Sequence, residues 1–138
     1  DLALATAALC AGVTHVVYAP GPFYKAPELA SKTSAYPLEE INDYIRLYPD
    51  RKNAVHRTLS YFDPRWFAPQ VGASTLIMAG PPGSPTDSAG LDPLIQAIGG
   101  EVTVHSSEQS SDKDGLEQTR WLARQFGFEE PILPEHWR

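Results

Sequence analysis

Four histidines, one cysteine and 17 carboxylates are the groups with which this 138-residue chain could do chemistry. Nucleophilic acyl transfer needs a serine or cysteine, an imidazole within hydrogen-bond reach, and an acid that orients the imidazole. No Gly-x-Ser-x-Gly turn occurs in the sequence, so the usual device for presenting an activated serine is absent from it. His105 closes a β-branched run and is a candidate base, although a histidine at a strand end more commonly hydrogen-bonds locally. Asp87 follows a Pro/Gly loop and is a candidate acid, but its position before an apolar-periodic segment is that of a helix cap. His15, His56 and His136 stand apart and read as structural residues. No pair of histidines has His-x-x-x-His spacing, and Cys10 has no partner for a disulfide or a thiolate zinc site. Glu108, Asp112 and Asp114 lack the pattern of a calcium loop and read as a solvated stretch. We therefore expect neither a metal nor a cofactor. Trp66, Phe67, Trp121 and Trp137 could stack on sugar rings, though such residues more often fill a core or a subunit contact.

Eleven Lys and Arg against 17 Asp and Glu give a net charge of −6 with no basic run, which argues against a nucleic-acid partner. No apolar stretch approaches the ~20 residues that span a bilayer, so no membrane partner is expected and the chain reads as soluble. A lone cysteine assigns no redox compartment.

The elements that must position these groups follow from periodicity. The stretch 1–11 is rich in helix formers, apolar nearly all round, and stops at Gly12, which predicts a buried helix with a left-handed C-terminal residue. Its opening inside a helix leads us to expect that the natural polypeptide begins further upstream. The run 13–19 is a short apolar strand, covered on both faces. A Pro-broken excursion with one helical turn near 27–31 leads to an amphipathic helix with Pro37 as its first residue. That helix carries Leu38, Ile41, Ile45 and Tyr48 on one stripe until Pro49. A second helix covers about 51–62 with Val55, Thr58, Leu59 and Phe62 on its buried side. Strands follow at 74–79 and 101–105, separated by a helix with Leu91, Leu94, Ile95 and Ile98 inward, and a last helix runs over about 113–126. Alternating strands and helices predict an α/β fold: a partial doubly wound parallel sheet of about three strands with helices on both faces. We read 1–138 as one partial domain with an irregular tail at 128–138.

The segments Thr58-Leu59-Ser60-Tyr61-Phe62-Asp63, Phe67-Ala68-Pro69 and Thr75-Leu76-Ile77-Met78-Ala79-Gly80 resemble the acetyl xylan esterase and cephalosporin C deacetylase family of α/β-hydrolases. Pro37 to Arg46 is similar to the preceding helix of that family, and the similarity runs in order from Asp1 to about Phe126. The resemblance implies an α/β-hydrolase-like carboxyl-terminal half and a chemistry of ester deacetylation by a Ser-His-Asp triad. It places the serine elbow immediately before Asp1, the acid at Gly83 and the histidine at Ser110. Neither Gly83 nor Ser110 can play those parts, and Asp87 and His105 are the weak substitutes nearby.

Two expectations follow. The first is the carboxyl-terminal portion of an acetyl xylan esterase-like hydrolase, whose substrate would be an acetylated sugar or small ester and which is inactive as this chain. The second is a non-catalytic binding or assembly module, associating with itself or a partner chain through an exposed sheet edge.

Overall fold

The computed structural model describes residues 1–131 and residue 133. Six α-helices and three strands run in the order α1 (Leu2–Leu9), β1 (His15–Tyr18), α2 (Ala26–Leu29), α3 (Leu38–Leu47), α4 (Lys52–Ser60), β2 (Ser74–Ala79), α5 (Ser88–Ala97), β3 (Val102–Ser106), α6 (Ser111–Gln125). Short 3-10 turns fill Ala30–Lys32, Pro49–Arg51, Pro64–Trp66 and Ala68–Gln70. The sheet is parallel in the order β1-β2-β3, with Val16 opposite Thr75 and Thr75 opposite Val102. The α/β class, the strand number and the parallel pairing are those the alternation predicts.

Side-chain alternation along the strands sorts the core onto two faces. Val16, Tyr18, Ile77 and Ala79 pack with Leu4 and Ala7 of α1 and with Leu91, Leu94 and Ile98 of α5. On the other face Leu76 and Met78 meet Trp121 of α6, with Val17 beside them. Helices therefore cover both faces, and β2 is buried almost throughout because it is the central strand. Full burial of Leu91 and Leu94 contributes about 1.5–3 kcal/mol each.

Several local expectations are corrected. Helix α1 ends at Leu9, and Cys10 leaves it in an extended conformation, so Gly12 is not a left-handed cap. Nor is α1 buried all round: only Leu4 and Ala7 are, while Leu2 is 85% and Leu9 70% exposed, because one helix face alone meets the sheet layer. Strand β1 is an outer strand among the described residues, with Val16 and Tyr18 buried and His15 and Val17 half-buried. Pro37 precedes the first turn of α3 and does not form it. Neither α3 nor α4 buries any residue, and Thr58 and Phe62 of the predicted buried side are exposed. Within the tail, 132 and 134–138 lie outside the described residues, His136 and Trp137 among them.

The irregular stretch between β1 and β2 is held by two carboxylates. Asp63 is 2% exposed and accepts from Arg65 Nη2 at 2.7 Å, Arg65 Nε at 3.0 and 3.1 Å, the Arg65 amide at 3.0 Å and the Lys25 amide at 3.3 Å. Bonding to Asp63 raises the Arg65 pKa above its ordinary value. Asp1 accepts from the Tyr18 hydroxyl at 2.9 Å and from the amides of Gly21 and Phe23, tying α1 to the loop after β1. Burial, and secondarily the Asp63 charge, push the Tyr18 hydroxyl pKa far up, so it stays a donor.

Replacing Asp63 by Ala removes charge-assisted bonds and strands two backbone amides, so we expect a loss of about 2–4 kcal/mol in urea unfolding. A loss below about 1 kcal/mol would show that the carboxylate is not the fastener of this stretch.

Candidate functional site

In open parallel sheets, ligands bind beyond the carboxyl ends of the strands. Here that end opens onto a cavity of about 290 Å³, lined by Pro20 after β1, Gly80 after β2, Ser107 after β3, Thr86, and Asp114 and Gln118 of α6. Among the described residues no histidine lines it.

Asp114 is the polar centre of this wall. One carboxylate oxygen lies 3.0 Å from His105 Nε2 and accepts from the Glu108 amide at 3.1 Å; the other accepts from Ser107 Oγ at 2.6 Å. Strand alternation explains the meeting. Thr103 and His105 share the face that looks at α6, where Trp121 Nε1 donates to Thr103 Oγ1, and Asp114 lies in the first turn of that helix. The Ser107 bond above all, with those of His105 and Glu108, holds the Asp114 pKa below the usual carboxylate value. In this arrangement the acid stands between hydroxyl and imidazole. The serine proton faces a carboxylate of low basicity, so the cluster lacks the serine-to-histidine bond on which acyl transfer depends. It fastens the loop 106–110, where Gln109 takes a left-handed φ of 56° and its amide bonds back to Ser107 Oγ.

The positions named from the sequence have structural occupations. Gly83 sits at φ 82°, a conformation that L side chains rarely adopt, and its amide donates to Asp87 Oδ2 at 2.8 Å. The other Asp87 oxygen accepts from the Gly90 amide at 2.7 Å, which makes Asp87 the N-cap of α5. Those amide bonds, Gly90 first, lower its pKa. Ser110 is the N-cap of α6, accepting from the Lys113 amide. His105 is thus paired with Asp114, and Asp87 with the backbone of its own loop.

The remaining candidates are dispersed. His15 packs its ring 4.8 Å from Phe126 and 6.1 Å from Trp121. His56 is half-buried on α4. Trp121 is buried under the sheet while Trp66 is 68% exposed, so the two do not form a sugar platform. Cys10 is exposed and free. Among the described residues no three His, Cys, Asp or Glu side chains gather as a metal site, and no helix is long and apolar enough to cross a membrane. The sequence reading missed Asp114, placing it in a solvated stretch. The signal was present, since strand parity aims His105 at the first turn of the following helix.

Taken together, a parallel sheet flanked by helices, with a cavity at the strand carboxyl ends, makes this an α/β fold with an open site at its strand ends. The sequence matches the family described as acetyl xylan esterase (AXE1) over residues 1–82, more than half of the chain. The chain belongs to the acetyl xylan esterase family. Its fold is similar to that of the acetyl xylan esterase from Paenibacillus sp. R4, with a TM-score of 0.71 and 21% identity, over 89% of this chain and 41% of that one. The chain therefore spans about two fifths of that esterase's length. No curated protein matches it in sequence.

Asp87 and Asp114 both have lowered pKa values, so their stabilisation is present above the unfolded value of 3.8 and is lost as pH falls through the lower folded values. We expect Asp114→Asn to lose less thermal stability than the parent chain on acidification across that window. Equal losses in both proteins would contradict the role given to Asp114.

Proposed function

We propose that this chain is the carboxyl-terminal portion of an acetyl xylan esterase-like hydrolase, and that it does not hydrolyse esters by itself. The lineage would act on carboxylic esters, removing acetyl groups from acetylated carbohydrates or similar small esters. The observation that carries the reading is the occupation of the two positions the family resemblance assigns to acid and base. Gly83 has no side chain and a backbone that disfavours one, and Ser110 spends its hydroxyl capping α6. Among the described residues no imidazole lines the cavity, and the carboxylate that does, Asp114, is engaged by Ser107, His105 and Glu108, which supports the reading.

A second reading, a binding or assembly module descended from such a hydrolase, is supported by the lone strand neighbour of β1 among the described residues. An outer strand offers backbone donors and acceptors to another strand.

The purified chain should release acetate from p-nitrophenyl acetate and from acetylated xylo-oligosaccharides no faster than buffer does. Turnover well above buffer that disappears in His105→Ala would overturn the proposal and make the Asp114 cluster a rearranged active site.

A further inference from the structure

The cavity at the carboxyl ends of the strands carries one ionisable side chain among the described residues that line it, Asp114, and no lysine or arginine. Its bonds from Ser107, His105 and the Glu108 amide hold it ionised at neutral pH, and Lys113, its neighbour in the chain, pairs with Glu108 instead. Gln118 lies one turn further along α6 on the same face, and Thr86 comes from the loop after β2. Both are half-buried, and among the described residues neither side chain makes a hydrogen bond. A third polar group stands close by. The Ser84 hydroxyl is buried without a partner among the described residues, and a Cβ on Gly80 would meet it at 2.6 Å and the Thr86 hydroxyl at 2.5 Å. Two uncommitted hydroxyls therefore crowd the end of β2. The rest of the wall is apolar, with Ala19, Pro20, Met78 and Ala79.

This set of groups selects a ligand. An ionised carboxylate in a half-enclosed site repels anions, and a neutral molecule leaves its charge without a counterpart. A primary ammonium group brings the opposite charge together with three N–H donors and no acceptor. The Gln118 carbonyl oxygen and the Thr86 hydroxyl oxygen are acceptors for those donors, and a carboxylate of low basicity leaves the proton on nitrogen. Methylene groups attached to the nitrogen find the ring of Pro20 and the thioether of Met78, which adapts to irregular apolar shapes. A volume of about 290 Å³ lies at the lower edge of the ~300–1,000 Å³ of small-molecule sites, which suits a chain of a few carbons. We infer that the cavity binds a small primary alkylammonium ion, with Asp114 as its counter-charge, Gln118 and Thr86 as its acceptors and Met78 against its chain. The event is recognition without bond cleavage, and the inference does not depend on whether the chain hydrolyses esters.

Nuclear magnetic resonance titration of the isotope-labelled chain with n-butylammonium chloride tests it, at constant ionic strength set with sodium chloride. Saturating shifts are expected at the amides of Gly80, Thr86, Ser107 and Gln118. Asp114→Asn should weaken the binding roughly tenfold and Gln118→Leu severalfold, whereas Gln118→Glu, which adds a second negative charge to the wall, should tighten it. Each variant is checked for native circular dichroism, and the two Gln118 variants carry the test if Asp114→Asn loosens its loop. Tetramethylammonium, a cation without N–H donors, and n-butanol, the chain without the charge, should each bind roughly tenfold more weakly than n-butylammonium. A parent chain that shows no saturating shifts would overturn the inference. So would equal binding of n-butanol or of tetramethylammonium, and so would an affinity unchanged in both Gln118 variants, which would place the cation elsewhere.

Discussion

A charge removed from water must find its counterpart, and the buried carboxylate of Asp63 sets the most demanding condition in this molecule. It is met by a neighbour two residues on, Arg65, and by the Lys25 amide from across the excursion after β1. Those bonds fix where the stretch 20–36 can run. They also hold Tyr24 in the core, where its hydroxyl reaches the Gly90 carbonyl at 2.6 Å and so links the excursion to the first turn of α5. The loop from Pro20, one wall of the cavity at the strand ends, is fixed from both sides: by Asp63 through Lys25, and by Asp1 through Gly21 and Phe23.

The same economy governs the polar groups around that cavity. Asp87 is taken up by the amides of Gly83 and Gly90, Ser110 by Lys113, and Asp114 by His105, Ser107 and Glu108. Asp87 and Ser110 are bonded to the backbone at their own helix starts, and Asp114 ties the start of α6 to β3 and to the loop that follows it. Catalytic groups differ in kind, since they keep a lone pair or a proton directed at an incoming molecule. Sheet packing depends instead on Leu76, Ile77, Met78 and Trp121, none of which carries an ionisable side chain.

Much of this was legible in the sequence. Strand β2 ends where its β-branched and apolar run ends, the Asp87 cap follows from its place before Leu91, and three parallel strands follow from the alternation. The family was legible in Thr58 to Asp63 and in the strand that follows. Burial was less so. Periodicity reports that a helix has an apolar side but not whether anything covers it, and α1, α3 and α4 all expose apolar residues that the pattern assigned to a core. The Asp63 clamp was hidden for a different reason. Asp-Pro-Arg reads locally as a turn, and only the tertiary position of Lys25 and Tyr24 reveals that the carboxylate is buried. Asp114 was hidden in the same way, as one acid among several in a polar run until strand parity brings His105 to it.

We propose that no serine in this chain is activated, and a reactive fluorophosphonate reads that property directly, because it bonds covalently only to a serine whose proton a base can take. Intact mass after exposure of the native chain should be unchanged, with no phosphonyl group on Ser107, Ser110 or any other serine. A stoichiometric adduct that maps to Ser107 and is lost on acid unfolding before exposure would contradict the account, and would turn the Asp114 cluster from a fastener into a reactive centre.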